Sequence, residues 1–428
     1  MDTQAVLASG IFLIAYAMII SEKIHRTIIA MIGGLAMIVL GIVDQSQALH
    51  HIDFNTLGLL AGMMIIVAIT GETGVFNYVA ISAAKKAQGD PLRILILLGL
   101  ITASASAFLD NVTTVLLMVP VTFSITRQLQ VNPEPYLITQ IVASNIGGTA
   151  TLIGDPPNIM IGSAVKELSF MDFINNLAVI SAIILVITLL ILAWLYRNSL
   201  ITTTVLKQDL MNIDEGQVIT DAQLLRKCLL VLVLTILGFF LHQIFHLESA
   251  TVALSGAFVL LLITAKSEHA LEHAFSRVEW TTIFFFAGLF VLVSGLVETG
   301  IISSLAGQAM VLTKGDVTAA AMFVLWLSAI ASGFIDNIPF VATMIPMIQD
   351  LGNLGIANLE PLWWSLALGA CLGGNGSLIG SSANLIVAGL AAQQGHPISF
   401  LRFLLVGFPL MLLSIAISTV YIYLRYLF

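Results

Sequence analysis

Apolar runs long enough to cross a membrane follow one another along most of this chain. A spanning helix needs roughly 20 mostly apolar residues. Runs of this kind predict ten spans, near residues 4–21, 27–44, 55–82, 135–165, 175–196, 226–246, 249–265, 280–307, 361–393 and 402–425. The sequence therefore predicts an all-α polytopic membrane protein embedded in the lipid bilayer.

The composition excludes several other classes of protein. Only 9% of the 428 residues are charged, whereas a soluble globular protein carries about 25%. Soluble enzymes and disordered tails are excluded on this ground, and the net charge of −8 argues against a nucleic-acid partner. Two cysteines, Cys228 and Cys371, are too few for a disulfide framework.

Two further apolar segments, 92–126 and 318–351, are each interrupted by a polar pair. The pair is Asp110-Asn111 in the first segment and Asp336-Asn337 in the second. Each segment could form two full spans or one re-entrant hairpin, and the residues alone leave both open. A turn inside the membrane must be buried in protein or line a water-filled cavity.

The basic residues predict the orientation of the chain. With the N-terminus placed outside, 13 of the 16 Lys and Arg residues fall in inside segments, Lys266 among them. This bias follows the positive-inside rule, so both termini are expected to be extracytoplasmic. The polar stretch 198–225, which includes Asn212-Ile213-Asp214, is then interpreted as a cytoplasmic linker between two halves.

The two halves repeat one another at a constant spacing of 226 positions. This spacing relates the two Asp-Asn pairs to each other. Further pairs at the same spacing are Pro120 and Pro346, Gly147-Gly148 and Gly373-Gly374, Leu152-Ile153-Gly154 and Leu378-Ile379-Gly380, and Asn158 and Asn384. A series of this length indicates a duplicated unit.

The first unit begins outside and the second begins inside, so the repeats are predicted to have inverted topology, as in many secondary transporters. The predicted division has four parts. They are a first repeat at 1–170, with a hairpin at 92–126 and a broken helix at 135–165; a linking span and linker at 171–225; a second repeat at 226–395, with a hairpin at 318–351 and a broken helix at 361–393; and a C-terminal span at 396–428.

Four polar clusters interrupt the apolar helices and supply the candidate site. Gly and Pro in these clusters break the helical ladder and free backbone groups that must be satisfied inside the membrane. Half-helix N-termini attract anions there, and freed carbonyls attract cations. The predicted substrate- and ion-binding residues are Asp110, Asn111, Thr113, Asn145, Thr149, Asp155, Asn158, Asp336, Asn337, Asn375, Ser377, Ser381 and Asn384.

The three aspartates of these clusters carry most of the functional argument. Each of them could simply cap a helix N-terminus. A carboxylate at membrane depth costs a few kcal/mol, however, which makes it a functional candidate. Asp155 has Ser381 in its place in the second repeat, so the predicted site is asymmetric. Candidate Na⁺ positions are Asp110/Asn111/Asn145 and Asp336/Asn337/Asn375.

The clusters contain no Lys or Arg, so a cation, a proton or a neutral solute is expected to fit better than a bare carboxylate. The segment His269-Ala270-Leu271-Glu272-His273 matches a zinc-binding pattern. It has no evident third ligand and is interpreted as a solvated turn. No cofactor and no transition metal are expected.

The motifs at 106–114 (SAFLDNVTT), 145–151 (NIGGTAT) and 154–158 (GDPPN) resemble those of a known group. This is the arsenite-permease/sodium–proton-antiporter branch of the ion transporter superfamily, and within it the permeases similar to the pink-eyed dilution P protein. The branch is related to the citrate and dicarboxylate carriers in fold. Those carriers have Ser-Asn-Thr at the hairpin tips, where this chain has Asp-Asn.

The resemblance implies two inverted repeats, each with a re-entrant hairpin and a broken helix. It also implies a scaffold domain, a mobile transport domain, elevator-type motion and usually a homodimer. By similarity, the hairpin tips lie at 110–113 and 336–339, and the helix breaks lie at 154–158 and 380–384.

The leading hypothesis is a secondary active transporter of the plasma membrane, not an enzyme. It would exchange a cation such as Na⁺ for protons, with H⁺ and/or Na⁺ as the coupling ion. The sequence leaves four alternatives open: proton-driven efflux of arsenite or antimonite, sodium-coupled uptake of a di- or tricarboxylate, a passive channel, and a membrane-embedded zinc protease.

Overall fold

The computed structural model describes residues 3–21, 23–212, 214–265 and 267–428. The described residues form helices joined by short turns and contain no strand. Ile213 of the predicted linker and Lys266 of the orientation argument lie outside the described residues.

The helices of the first half are followed by a short linker helix. They are α1 (Thr3–Ser21), α2 (Arg26–Val39), α3 (Gln45–His51), α4 (Phe54–Glu72), α5 (Val75–Lys86), α6 (Pro91–Ser106), α7 (Asn111–Leu129), α8 (Glu134–Thr149), α9 (Pro156–Ala164), α10 (Phe170–Phe173), α11 (Val179–Tyr196) and the linker helix α12 (Thr204–Met211). A π-helical turn, Ile174–Ala178, joins α10 to α11.

The second half contains ten helices among the described residues. They are α13 (Ala222–Leu241), α14 (Ser249–Thr264), α15 (Glu268–Ser276), α16 (Trp280–Glu298), α17 (Ile301–Thr313), α18 (Val317–Phe334), α19 (Asn337–Asn353), α20 (Glu360–Gly373), α21 (Ser382–Gln393) and α22 (Phe400–Ile422).

Most of the predicted apolar runs coincide with helices of the structure. Eight helical segments among the described residues are long and apolar enough to cross a membrane. Shorter apolar helices, α2 and α14 among them, correspond to further predicted spans, and the predicted span at 135–165 is divided between α8 and α9. The predicted all-α fold, with about ten spans and two hairpins, is confirmed.

Two other predicted spans are each divided into two helices. The run 55–82 is broken at Gly74, and the run 280–307 is broken at Gly300. Both glycines have a positive φ, 78° and 71°, a left-handed backbone that ends a helix and that residues with a Cβ adopt only at a cost. Because glycine is also common inside membrane helices, hydropathy alone did not indicate these breaks.

The duplication in the sequence is a duplication of structure. Each helix from α4 to α9 begins 226 positions before its counterpart from α16 to α21. The hydrogen bonds repeat as well: Ser106 Oγ donates to the Ser144 carbonyl at 2.7 Å, and Ser332 Oγ donates to the Ala370 carbonyl at 2.6 Å. The two repeats therefore share the same internal packing.

Helices from opposite repeats cross at close range through glycine. A Cβ at Gly34 of α2 would lie 2.8 Å from the Gly288 carbonyl oxygen of α16. In the equivalent crossing, a Cβ at Gly62 of α4 would lie 2.7 Å from the Ala253 carbonyl carbon of α14. Helices α1 to α4 and α13 to α16 pack together around these crossings, and we term them the crossed-helix unit.

The two hairpins and the two broken helices form a second group. Helices α6 and α7 make the first hairpin, and α18 and α19 make the second. Helix α8 packs against α6, and α20 packs against α18, so each hairpin is held by the broken helix that follows it. We term α6 to α9 and α18 to α21 the hairpin unit.

The linker is folded against the first repeat. Lys207 of α12 pairs with Asp90 at 3.4 Å, and Lys85 pairs with Glu215. The Thr220 amide donates to the Thr73 carbonyl at 3.1 Å. The Lys85 ammonium holds the pKa of Glu215 below its usual value.

Candidate ion-binding site

The Asp-Asn pairs lie at the tips of the two hairpins. Asp110 caps α7: its Oδ1 accepts from the Thr113 amide at 3.0 Å, and its Oδ2 accepts from the Thr113 hydroxyl. Asp336 caps α19, where its Oδ1 accepts from the Ile338 amide at 3.1 Å. Both aspartates are buried. Each therefore caps a helix, and the cap leaves Asp336 Oδ2 available to other partners.

Asp155 lies between the two tips. Its Oδ1 accepts from Asn111 Nδ2 at 3.3 Å and from Asn337 Nδ2 at 3.4 Å. It is fully buried at the start of the half-helix α9. Its Oδ2 accepts no hydrogen bond within the described part of the chain, although the Cys371 thiol lies beside it. One carboxylate thus contacts both hairpins and keeps an oxygen available.

Asn145 joins the two broken helices. Its Nδ2 donates to Asn375 Oδ1 at 2.9 Å and to Asn384 Oδ1 at 3.0 Å. Its Oδ1 accepts from Ser381 Oγ and from Asn111 Nδ2, both at 3.2 Å. Because all the hydrogen-bonding capacity of this amide is used, it acts as a cross-link between the repeats.

Two asparagines satisfy the backbone where the helices break. Asn158 Nδ2 donates to the carbonyls of Thr149 and Thr151, at 3.1 and 2.8 Å. Asn384 Nδ2 repeats this in the second half with the carbonyls of Gly374 and Ser377, at 2.7 and 2.9 Å. Buried backbone groups freed by a break need such partners.

The hydroxyls of Thr149 and Ser377 are also occupied locally. Thr149 Oγ1 donates to the Asn145 carbonyl of its own helix at 2.7 Å, and Ser377 Oγ accepts from the Ile379 amide at 3.2 Å. Thr113 likewise donates to Asp110. The structure thus does not bring the side chains of Thr113, Thr149, Asn158 and Ser377 together around a common point, and a ligand role for them stays a prediction.

Arg26, Glu279 and Ser382 belong to the site and were missed at the level of sequence. Arg26, the first residue of α2, donates to Asp336 Oδ2 and to Ser382 Oγ. Glu279 lines the small cavity beside these residues. The repeat contained a signal for it, because Glu279 is the counterpart of Asp53 at the 226-residue spacing. Arg26 carried no such signal, since its position resembles that of any basic residue in a short loop.

A small cavity lies where the two units meet. Its polar lining includes Arg26, Asp110, Asp155, Glu279, Asn337 and Ser382, and Asp336 borders it through its bond to Arg26. Four carboxylates thus face one guanidinium among the described residues. When all are ionised, this balance leaves an excess of negative charge that a cation or protons must compensate.

In the segment 269–273, which matches a zinc-binding pattern, one histidine is paired with a carboxylate of another helix. His273 Nδ1 pairs with Glu72 Oε1 at 3.1 Å. No group of three or more His, Cys, Asp or Glu side chains in the described ranges is placed to hold a metal ion. The oxygen atoms that line the cavity itself belong to carboxylate, amide and hydroxyl groups.

Residues 16–369 match the family model described as citrate transporter. The chain belongs to this family. It is 43% identical to an uncharacterized transporter of Mycobacterium tuberculosis over 431 residues, which cover 99% of both chains. It is 37% identical to the P protein of Homo sapiens over 503 residues, covering 98% of this chain and 60% of that protein. The predicted resemblance to the P protein is confirmed.

A solved structure supports the fold. The crystal structure of the YdaH transporter of Alcanivorax borkumensis, described as having an unusual topology, superposes with a TM-score of 0.59 at 13% identity. The match covers 98% of this chain and 97% of that one. The protein is a multi-pass membrane transporter.

Proposed function

We propose that this protein is a cation/proton antiporter, in which Asp110, Asp155 and Asp336 hold either a cation or protons. The observation that carries the proposal is the cavity where both hairpin tips meet the broken helices. Buried carboxylates there outnumber the basic residues that face them. A buried carboxylate stays charged only when a cation is close, and it otherwise binds a proton.

The same charge balance favours the exchange of a cation for protons over the binding of both at once. A cation and a full complement of protons would over-compensate the carboxylates, so each disfavours the other. Oxygen atoms are the ligands that hard cations prefer. Among the described residues only the weakly donating Cys371 thiol lies beside Asp155 on the side of its Oδ2, so this oxygen can take part in binding a cation. Movement of the hairpin unit against the crossed-helix unit would then carry the bound ion across the membrane.

The location, oligomeric state and orientation that we propose rest on the sequence and on the family resemblance. We place the protein in the plasma membrane as a homodimer, with both termini extracytoplasmic, on the bias of its basic residues and on the resemblance to its family. The transporter moves a small inorganic ion, and the coupling ion is H⁺ exchanged against Na⁺ or a related cation.

Uptake of an organic anion is the second candidate. Arg26 in the cavity wall and the family description as citrate transporters both favour it. Against it, the guanidinium of Arg26 is already paired with Asp336, and three further carboxylates would repel a di- or tricarboxylate.

Proton release on cation binding tests the exchange chemistry directly. Purified protein in detergent, in weakly buffered solution with a pH indicator, is mixed with Na⁺, Li⁺ or K⁺. We expect saturable proton release with at least one of these cations and none from Asp110→Asn/Asp155→Asn protein. Proton uptake or release on addition of citrate, with no response to any cation, would favour the second candidate and overturn the first.

A further inference from the structure

Arg26 links the two units of the molecule at the candidate site. Its guanidinium donates to Asp336 Oδ2 and, at 2.5 Å, to Ser382 Oγ, and it lies 4.8 Å from the centre of the Phe285 ring. The Arg26 side chain is 24% exposed, whereas that of Asp336 is 7% exposed. The guanidinium therefore reaches from a partly open crevice to a buried carboxylate.

The partners of Arg26 belong to a different unit from Arg26 itself. Arg26 begins α2 of the crossed-helix unit, while Asp336 lies at the tip of the second hairpin and Ser382 begins the half-helix α21. A second bond between the units lies close by, from the Tyr16 hydroxyl to the Pro339 carbonyl at 2.6 Å. The pairing of Arg26 therefore bears on how the hairpin unit is held.

The guanidinium cannot leave this site by losing its proton. Arginine stays charged at every pH a cell experiences. The bond to Asp336 therefore ends when another cation takes its place on the carboxylate, when Asp336 itself binds a proton, or when the two units separate. Beside the α1–α2 connection, a crevice lined by isoleucines and by His25 opens onto Arg26, Asp336 and Ser382, so the ion pair is accessible from outside the protein.

We propose that Arg26 is a built-in counter-ion that the transported cation displaces from Asp336, so that ion binding releases the hairpin unit from the crossed-helix unit. The proposal rests on the proposed function. Two cations at one carboxylate repel each other, so a bound ion weakens the Arg26 contact. When the ion leaves, the guanidinium returns, and the empty hairpin unit is held in place.

The contact between Arg26 and Asp336, which we term the arginine latch, is present, within the described ranges, in only one of the two repeats. Helix α14 is the counterpart of α2, because Gly62 meets Ala253 as its counterpart Gly288 meets Ala30. The spacing between these two helices is 223 positions, so Ser249 stands where the first repeat has Arg26. Asp110, the counterpart of Asp336, is bonded to Thr113 in its own helix. In the oppositely facing state, in which the two repeats exchange their roles, no arginine would hold a hairpin tip in this way. The empty carrier is therefore expected to favour the arrangement seen here.

Two substitutions at Arg26 test the proposal in proteoliposomes. Cation-driven proton flux is measured against cation concentration for wild type, Arg26→Gln, Arg26→Lys and the control Arg197→Gln. Arg197 contacts Trp194 at the end of α11, away from the cavity. We expect Arg26→Gln to lower the apparent KM for the cation by about tenfold, because a competing charge-assisted hydrogen bond is lost. Proton leak without cation should rise.

Arg26→Lys keeps the competing charge and should stay within about threefold of the wild-type KM, by the same bond-energy argument. An unchanged KM in Arg26→Gln, or an equal fall in Arg26→Gln and Arg26→Lys, would overturn the latch and leave the antiporter assignment intact. A raised KM would also overturn it, because Arg26 would then assist binding. A wild type without cation-driven flux would overturn both proposals.

Discussion

Asp155 and Ser381 occupy equivalent positions in the two repeats, yet only one of them brings a charge into the protein interior. Each precedes a half-helix, makes no capping hydrogen bond and lines the cavity. The sequence predicted this asymmetry from the repeat spacing. It did not predict that Asp155 contacts both hairpins, since that depends on how the repeats face each other.

Asp155→Asn is the sharpest test at a single residue. Asparagine keeps the shape of the side chain and removes the charge, so we expect at least a hundredfold loss of cation-driven proton flux. Melting temperature in detergent should stay equal or rise, because a buried carboxylate is costly. The matched control is Asp316→Asn, at an exposed helix cap where either residue functions. Equal flux in both variants would show that Asp155 is only structural.

Asn145→Ala tests the cross-link between the repeats. The change leaves Asn375 and Asn384 without a donor and Ser381 without an acceptor. Unsatisfied buried groups cost about 1–3 kcal/mol each, so we expect a loss of at least about 3 kcal/mol of stability. Thermal unfolding in detergent measures it, with the exposed Asn353→Ala as control. Similar unfolding of the two variants would contradict the cross-link.

The helices and their breaks were predictable to different degrees. The interruptions of the helices were placed by Asp-Asn and by Gly-Asp-Pro-Pro-Asn, because these polar residues interrupt apolar runs at a constant spacing. That the Asp-Asn pairs are hairpin tips was implied by the family resemblance and not by the pattern. The breaks at Gly74 and Gly300 were missed because their neighbours stay apolar. Arg26 was missed because its partner lies 310 residues away, and no local pattern reports such a contact.

Close packing of α8 on α6 makes Gly147 intolerant of a side chain. An added Cβ would clash with the carbonyl of Ala103, so Gly147→Ala is expected to lower the melting temperature strongly or to prevent folding. Gly307→Ala is the matched control, since nothing lies within 4 Å of its Cβ in the helix α17. It should be neutral or stabilising by up to about 1 kcal/mol. Equal melting of both variants would contradict the packing.

At the scale of the whole molecule, transport requires the hairpin unit to move against the crossed-helix unit. Cysteines at Tyr16 and Pro339, in a background without Cys228 and Cys371, place one thiol on each unit. We expect a bifunctional maleimide to abolish flux in this variant. The control pair is Gln47 and Glu298, which are hydrogen-bonded at 3.3 Å within the crossed-helix unit. Flux that survives the first crosslink would contradict the motion.

Cation-driven proton movement in proteoliposomes tests the central claim most directly. Liposomes with an acidic interior and an enclosed pH dye receive a pulse of external Na⁺, Li⁺ or K⁺, for wild type and Asp155→Asn side by side. The account predicts alkalinisation of the interior that saturates with one of these cations and is absent in Asp155→Asn. No pH change with any cation, in liposomes where the protein takes up labelled citrate, would contradict it.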